Sequence, residues 1–164
     1  MGKKSTKENK NIYQIIREDK QLTREKASEL MHFISADRIE KIESEKTLPH
    51  PDEILVMADA YKMPELCNYF CSHECPIGQK YVPEIKTKDL SQIVLELLSS
   101  LNAISKDKDR FVDITVDGEI SKDEYEDFKR IRGQLNNISM CSSALQLWLD
   151  KTIATGKLGT DILE

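Results

Sequence analysis

Cysteine and histidine side chains are concentrated between residues 67 and 75, where they have the chemistry of metal ligands. This short segment holds three of the four cysteines and one of the three histidines. Four thiolate or imidazole ligands make the usual tetrahedral zinc site. If the local helix breaks near Ser72 and the chain folds back ahead of Pro76, such a set can form. The candidate zinc ligands are Cys67, Cys71, His73 and Cys75.

The spacing of these residues matches none of the common zinc-finger patterns. Metal binding or redox sensing is therefore one interpretation of the cluster. The preferred interpretation is packing, because Cys67 and Cys71 are four residues apart and share one helix face as small hydrophobic side chains.

Residues 113–124 carry oxygen-bearing side chains at a spacing similar to that of an EF-hand calcium loop. Loop positions 1, 3, 5 and 12 would be held by Asp113, Thr115, Asp117 and Glu124. The sequence contains a single copy, whereas EF-hands normally work in pairs. A turn at Gly118 followed by a capping box that starts at Ser121 explains the same residues. We therefore expect no calcium here.

The sequence contains no recognisable catalytic motif. The histidines His32, His50 and His73 lie outside any Ser/His/Asp or paired-metal motif. There is also no glycine-rich phosphate loop and no G-x-S-x-G sequence. We predict that the protein is not an enzyme and requires no cofactor.

The composition predicts an all-α protein. The chain has 164 residues, of which 32% are charged, and only 6 are glycine and 5 proline. This scarcity of turn residues favours long helices over a β-sandwich or barrel. No apolar run approaches the ~18 residues that a membrane span needs, and no signal-peptide core follows the basic N-terminus. We expect a cytoplasmic protein without membrane contact.

Charge is distributed unevenly along the chain. The formal net charge is -5, yet residues 1–50 carry 11 basic and 9 acidic residues, whereas residues 51–164 carry 13 and 20. The chain thus has a mildly basic N-terminal part and an acidic remainder. This balance does not by itself indicate nucleic-acid binding.

Five short helices are predicted in residues 9–71. Isoleucines at helical spacing mark the first, over roughly 9–19. Thr23 and Ser35 are suitable N-caps for helices 23–31 and 35–44, and Pro51 and Pro64 can open two more. Two helices of about eight to ten residues joined by a short turn are typical of a helix-turn-helix unit.

The order of these elements resembles the phage-repressor (Cro-like, XRE) family of helix-turn-helix transcriptional regulators. The resemblance rests on residues 22–30, 35–43, 48–49 and 54–61, including the pair Ile39 and Ile42 followed by Glu43. The sequence departs from the family pattern at the turn, where residues 32–34 stand in place of the usual glycine. It also carries two acids, Asp37 and Glu40, in the recognition helix.

The resemblance implies double-stranded DNA as the partner. Residues at the start of the second helix would contact a phosphate, and outward residues of the third would face the major groove. Within that helix, Arg38 is the candidate for reading a guanine edge, and the lysines of a flexible basic arm, residues 1–8, would reach the backbone. The implied DNA-binding residues are Thr23, Arg24, Ser35, Ala36, Asp37, Arg38, Lys41 and Lys46.

The remainder of the chain is predicted to be a linker, a helical hairpin and a tail. Residues 72–88 contain Pro76, Gly78 and Pro83 and read as a linker, and residues 89–155 show two apolar stripes at helical spacing. These stripes predict two helices of more than 20 residues in an antiparallel hairpin. One apolar side would stay open, which predicts a homodimer through the C-terminal helices. Residues 156–164 would form a flexible tail.

Together these features predict a sequence-specific DNA-binding transcriptional regulator, acting as a dimeric repressor. The alternative is a protein–protein interaction module, or a metal-dependent sensor, built on a helix-turn-helix scaffold. The acids of the recognition helix favour this alternative because carboxylates repel phosphates.

Overall fold

The computed structural model describes residues 10–159 and residue 161, and all the regular secondary structure in this part is helical. The all-α prediction is therefore confirmed. The predicted arm of residues 1–8 lies outside the described residues. The helices are α1 (Ile12–Asp19), α2 (Arg24–Met31), α3 (Ala36–Glu43), α4 (Pro51–Tyr61), α5 (Glu65–His73), α6 (Pro76–Tyr81), α7 (Leu90–Lys106), α8 (Lys108–Thr115) and α9 (Tyr125–Ala154).

The described residues form two compact units. The first unit contains residues 10–84 together with the described residues from 151 onward, and the second contains Ile85–Asp150. Within these described residues, every helix is too short or too polar to cross a bilayer.

The first unit has one hydrophobic core, to which α1–α5 all contribute. Local sequence sets where its helices begin: the side chains of Asn11, Thr23 and Ser35 accept hydrogen bonds from the first turns of α1, α2 and α3. Pro51 is the first residue of α4, as predicted. The core residues are Tyr13, Ile16, Ala27, Met31, Ile34, Ile39, Ile42, Ile54, Met57, Ala58, Tyr61, Leu66 and Phe70.

A buried ion cluster joins α1, α2 and α3. The carboxylate of Glu43, the last residue of α3, is only 2% exposed. Arg17 from α1 meets both of its oxygens, at 2.5 and 2.8 Å, and Arg24 donates Nε to it at 2.9 Å. Arg17 also donates to the carbonyl oxygen of Leu22 at 2.6 Å. The cluster therefore fixes the end of α3 against α1 and against the start of α2.

The predicted linker is partly helical. Cys75 caps α6, with Gly78 N–H donating to its Sγ at 3.5 Å, and Pro76 takes the first helical position. A Cβ added at Gly78 would lie 2.0 Å from the carbonyl oxygen of Cys71 on α5. Glycine is therefore needed here because the backbones of α5 and α6 approach so closely.

The second unit contains α7, α8 and most of α9. The prediction of two helices longer than 20 residues is wrong for the first, which is interrupted at Asp107 and continues as α8. Asp107 accepts hydrogen bonds from Arg130 and, at 2.8 Å, from Gln134 of α9. Arg110 is 2.7 Å from Asp127 of α9. These ion pairs hold the interruption against α9, and the second long helix exists with 30 residues.

We predict that Glu43→Ala lowers the free energy of unfolding by about 3–5 kcal/mol, because it leaves the buried Arg17 guanidinium without a partner. The double variant Arg17→Met/Glu43→Leu removes both charges and should be more stable than Glu43→Ala alone. The free energies of unfolding of both variants are measured by urea denaturation, with circular dichroism as the signal. Equal losses in the two variants would show that the buried charge is not the cause.

We predict that Gly78→Ala destabilises the first unit by about 2 kcal/mol, because the added methyl group collides with the α5 backbone. Gly133→Ala is the matched control: Gly133 lies within α9, and a Cβ there meets no atom within 4 Å. That control should stabilise the protein by about 0.5–1 kcal/mol through helix propensity. Thermal melts of the two variants should shift in opposite directions.

Candidate nucleic-acid interface

Two helices of eight residues, α2 and α3, are joined by residues 32–35 and contact each other. This is the length and connection expected of a helix-turn-helix unit. The chain leaves α2 at His32, which takes a φ of 59°, in the region of backbone conformation that favours glycine. Met31 and Ile34 on either side of the turn are buried and anchor it.

The inward and outward faces of α3 differ in chemistry. Ile39 and Ile42 are buried in the core, whereas Asp37 and Lys41 are exposed. Ala36 is half-buried near the start of the helix. The outward face thus offers the charged groups of Asp37 and Lys41, four residues apart, with no large apolar side chain between them. The half-exposed carboxylate of Glu40 lies beside them.

Arg38, predicted to read a guanine edge, is engaged within the domain. Its Nε and one Nη each lie 2.6 Å from an oxygen of Glu53, in a two-pronged pair. It also donates to Thr47 Oγ1 at 2.6 Å and to the carbonyl oxygen of Leu48 at 3.0 Å. The guanidinium therefore connects α3 to the α3–α4 loop and to α4, and binding a base would require breaking these bonds.

Glu53 is a residue of this site that sequence reasoning missed. It also accepts a hydrogen bond from the backbone N–H of His50 at 2.7 Å, so it caps α4 while holding Arg38. A glutamate at the third position of a helix opened by Pro51 is a recognisable capping signal. The Arg38 contact spans 15 residues, and no local pattern indicates it.

The N-terminus of α2 is the predicted phosphate contact. Thr23 caps it, accepting from Lys26 N–H at 3.2 Å. Hydrogen bonds from the backbone N–H of Glu25 and then from Thr23 lower the pKa of the Glu25 carboxyl. The Nε–H of Arg24 donates to Glu43, but 36% of the Arg24 side chain is exposed. A phosphate here would meet Arg24 and would compete with Glu25.

Lys46, the other predicted phosphate ligand, lies in the loop after α3. Its ammonium group is 3.0 Å from Glu40, whose carboxyl pKa is lowered chiefly by this hydrogen bond. Both side chains are open to solvent, and an exposed pair of this kind is weak. Lys46 can therefore exchange Glu40 for a phosphate at little cost.

The surface near the turn also exposes apolar side chains. Phe33 in the turn is 69% exposed, and Leu30 on α2 is exposed as well. Isolated exposed apolar residues are ordinary, but an aromatic ring in the turn offers a contact for an apolar partner group such as a thymine methyl.

The predicted zinc ligands occupy different environments. Cys67, Cys71 and Cys75 pack against the hydrophobic core and are not joined by disulfides, and the chain turns between His73 and Pro76 as the fold-back requires. His73 stacks on Tyr69 with ring centroids 4.4 Å apart, and its Nδ1 lies 2.9 Å from Ser72 Oγ. Throughout residues 10–159, no three His, Cys, Asp or Glu side chains are grouped to hold a metal ion. Zinc here stays a prediction.

Comparison with known proteins adds no relative. No family model, no curated protein and no solved structure matches the chain.

We predict that Arg38→Lys lowers the free energy of unfolding by about 1–2 kcal/mol at neutral pH, because lysine cannot form the two-pronged pair with Glu53. Arg38 lowers the pKa of Glu53 below its ordinary value of 4.5. Because this pKa is lower in the folded protein than in the unfolded chain, the ionised Glu53 stabilises the fold at any pH above its ordinary pKa. That contribution is lost as the pH falls through the lowered pKa of the folded protein.

The difference between wild type and Arg38→Lys should therefore shrink as the pH is lowered from neutral through and below 4.5. Denaturant titrations across this range measure it, with Arg132→Lys on the exposed surface of α9 as the matched control. A difference that stays constant over this range would contradict the assigned Arg38–Glu53 pair.

Proposed function

We propose that the chain is a sequence-specific DNA-binding transcriptional regulator that places α3 in the major groove. The observation that carries the proposal is the α2–turn–α3 unit, in which α3 is anchored by Ile39 and Ile42 and turns a small polar face outward. This is the arrangement in which helix-turn-helix proteins present a recognition helix to base edges. Binding at a promoter would block transcription, so the expected role is that of a repressor.

In this proposal Arg38 is a positioning residue. Its bonds to Glu53, Thr47 and Leu48 hold the α3–α4 loop against α3. Lys41 is then the exposed cation of α3 that can reach a base edge or a phosphate, and Arg24 and Lys46 flank it on neighbouring segments. Asp37 can accept a hydrogen bond from a cytosine amino group.

The proposed complex makes few phosphate contacts. Arg24, Lys41 and Lys46 are the assigned cations, and α3 itself carries three acids and two bases. Counterion release then involves a small number of charges, so the salt dependence of binding should be shallower than that of strongly basic proteins. Specific contacts would have to supply more of the affinity.

The proposed regulator acts as a homodimer through its C-terminal helices. A dimer presents two copies of α3 to two half-sites, which doubles the contact area and supplies sequence specificity that one helix cannot. This part of the proposal concerns the second unit and is tested separately from DNA binding.

We predict that Lys41→Ala weakens binding to a duplex of about 30 base pairs and reduces the slope of log affinity against log salt by about one. Fluorescence anisotropy at low ionic strength, over a salt series, measures both. Lys122→Ala is the matched control because Lys122 is exposed, lies in the second unit and removes the same charge.

Unchanged affinity and slope for Lys41→Ala would contradict the placement of α3. Absence of salt-sensitive binding by the folded wild-type protein, down to about 20 mM salt, would contradict DNA binding as a whole.

A second candidate function is protein–protein interaction through the same surface. The exposed Phe33 and Leu30 and the engagement of Arg38 with Glu53 favour it, because apolar and aromatic residues dominate protein contacts. Phe33→Ala would then abolish partner binding, whereas DNA binding predicts a stronger effect from Lys41→Ala.

A further inference from the structure

Three cysteines follow one another at intervals of four residues where α5 ends and α6 begins. Cys67 and Cys71 belong to α5, and Cys75 is the residue that caps α6. All three contact the hydrophobic core of the first unit, and none of them is joined to another by a disulfide. The proposed DNA contacts on α2, α3 and the loop after α3 use none of these thiols.

The spacing of the three cysteines places Cys71 within reach of both of its neighbours. Residues four apart in a helix have Cα atoms about 6 Å apart, which lies within the range of about 4.4–6.8 Å that disulfides span. The backbone stays in the right-handed helical region through Glu74, so the same spacing extends from Cys71 to Cys75. Cys67 and Cys75 are then about 12 Å apart, which is too far for a bond.

The two bonds that remain differ in how much of the backbone must move. Cβ atoms of residues four apart on a helix lie about 5–6 Å from each other, whereas a disulfide holds them about 3.5–4.5 Å apart. Between Cys67 and Cys71 this approach would distort the interior of α5. Cys75 lies beyond the last residue of α5 in an extended conformation, so it can move while the helix stays intact. The geometry therefore favours a bond between Cys71 and Cys75.

Gly78 of α6 lies against both members of this pair. Its N–H donates to Cys75 Sγ at 3.5 Å, and a Cβ at Gly78 would lie 2.0 Å from the carbonyl oxygen of Cys71 and 2.9 Å from its Cα. Any larger residue would push α6 away from Cys71. The close approach thus keeps the start of α6, and Cys75 with it, next to the end of α5.

We propose that Cys71 and Cys75 form a site of reversible oxidation, at which an intramolecular disulfide replaces the sulfur cap of α6. In the reduced protein Cys75 Sγ accepts the hydrogen bond from Gly78 N–H. In the oxidised protein this sulfur is bonded to Cys71, and the first turn of α6 loses its cap. Helix α6 has only 6 residues and depends on such contacts for its stability. The chemical state of the two thiols therefore sets the stability of α6.

The oxidant is a low-molecular-weight disulfide, for which oxidised glutathione is the probe. The thiolate of one cysteine attacks a sulfur of the probe, whose sulfur–sulfur bond breaks, and one glutathione thiolate leaves. The thiolate of the other cysteine then attacks the protein sulfur of this mixed disulfide and releases the second glutathione thiolate. Two electrons pass from the cysteines to glutathione, and the two cysteine protons reach the released thiolates through solvent. An excess of reduced glutathione reverses both steps.

The test is thiol mapping of the full chain, without DNA or metal, after equilibration with oxidised glutathione. The remaining thiols are alkylated, the protein is cleaved with trypsin, and the peptides are fragmented in a mass spectrometer. Trypsin cuts after Lys62 and next after Lys80, so one peptide contains all three cysteines. This peptide should carry one alkyl group, on Cys67, and a disulfide that is two hydrogen atoms lighter than the two thiols. Treatment with reduced glutathione should restore three alkylated cysteines.

Cys71→Ser and Cys75→Ser should each lower the fraction of bridged peptide at least about tenfold, because either change removes one of the two sulfurs. Cys67→Ser is the matched control: it makes the same change on α5 and should leave the bridge intact. Amide hydrogen exchange in residues 76–81 of the wild type should be faster after oxidation, because α6 has lost its cap.

Three alkylated cysteines after oxidation would overturn the assignment. A bond between Cys67 and Cys71, a bond between two chains, or glutathione left attached to Cys71 or Cys75 would also overturn it. Hydrogen exchange in α6 that oxidation leaves unchanged would contradict the loss of its cap. The mapping uses the wild type, so these outcomes do not depend on how the variants fold. Because no DNA is present, failure here is distinct from failure of DNA binding, which the Lys41 measurements report.

Discussion

Burial of the Glu43 carboxylate between Arg17 and Arg24 is the constraint on which the first unit depends. A charge removed from water must be matched, and the two arginines come from α1 and from the first residue of α2. Glu43 ends α3, so the position of α3 follows from that of α1 and α2. Arg38 adds a second fixed point through Glu53. The outward face of α3 is thus held at both ends by ion pairs directed into the protein.

Much of the helical framework could be predicted because its signals are local. Thr23, Ser35 and Pro51 mark helix starts by their own chemistry, and the structure has all three where sequence reasoning expected them. Helix α6 was missed although Pro76 is an ordinary opening residue, because a segment with two prolines and a glycine also reads as a linker. The interruption at Asp107 was missed because the apolar stripe resumes at Phe111, after the charged residues 106–110.

The ion pairs of Arg17 and Arg38 could not be predicted from the sequence. Arg17 and Glu43 are 26 residues apart, and Arg38 and Glu53 are 15 apart, so each pairing follows from packing. A resemblance to repressors implies that an arginine in the third helix faces DNA, and only the contacts reveal that this one is bound by a neighbouring carboxylate. For Cys67, Cys71 and Cys75 the sequence was a better guide than for the arginines. Packing was the preferred interpretation, and all three residues contact the core.

The proposed function depends on sequence-specific recognition of DNA by α3. The most direct measurement is repeated selection of duplexes from a random-sequence pool by the purified chain, followed by sequencing. A defined motif should be enriched, and the enrichment should be lost when the selection is repeated with Lys41→Ala. A pool that stays random after several rounds with folded protein at low salt would contradict sequence-specific recognition.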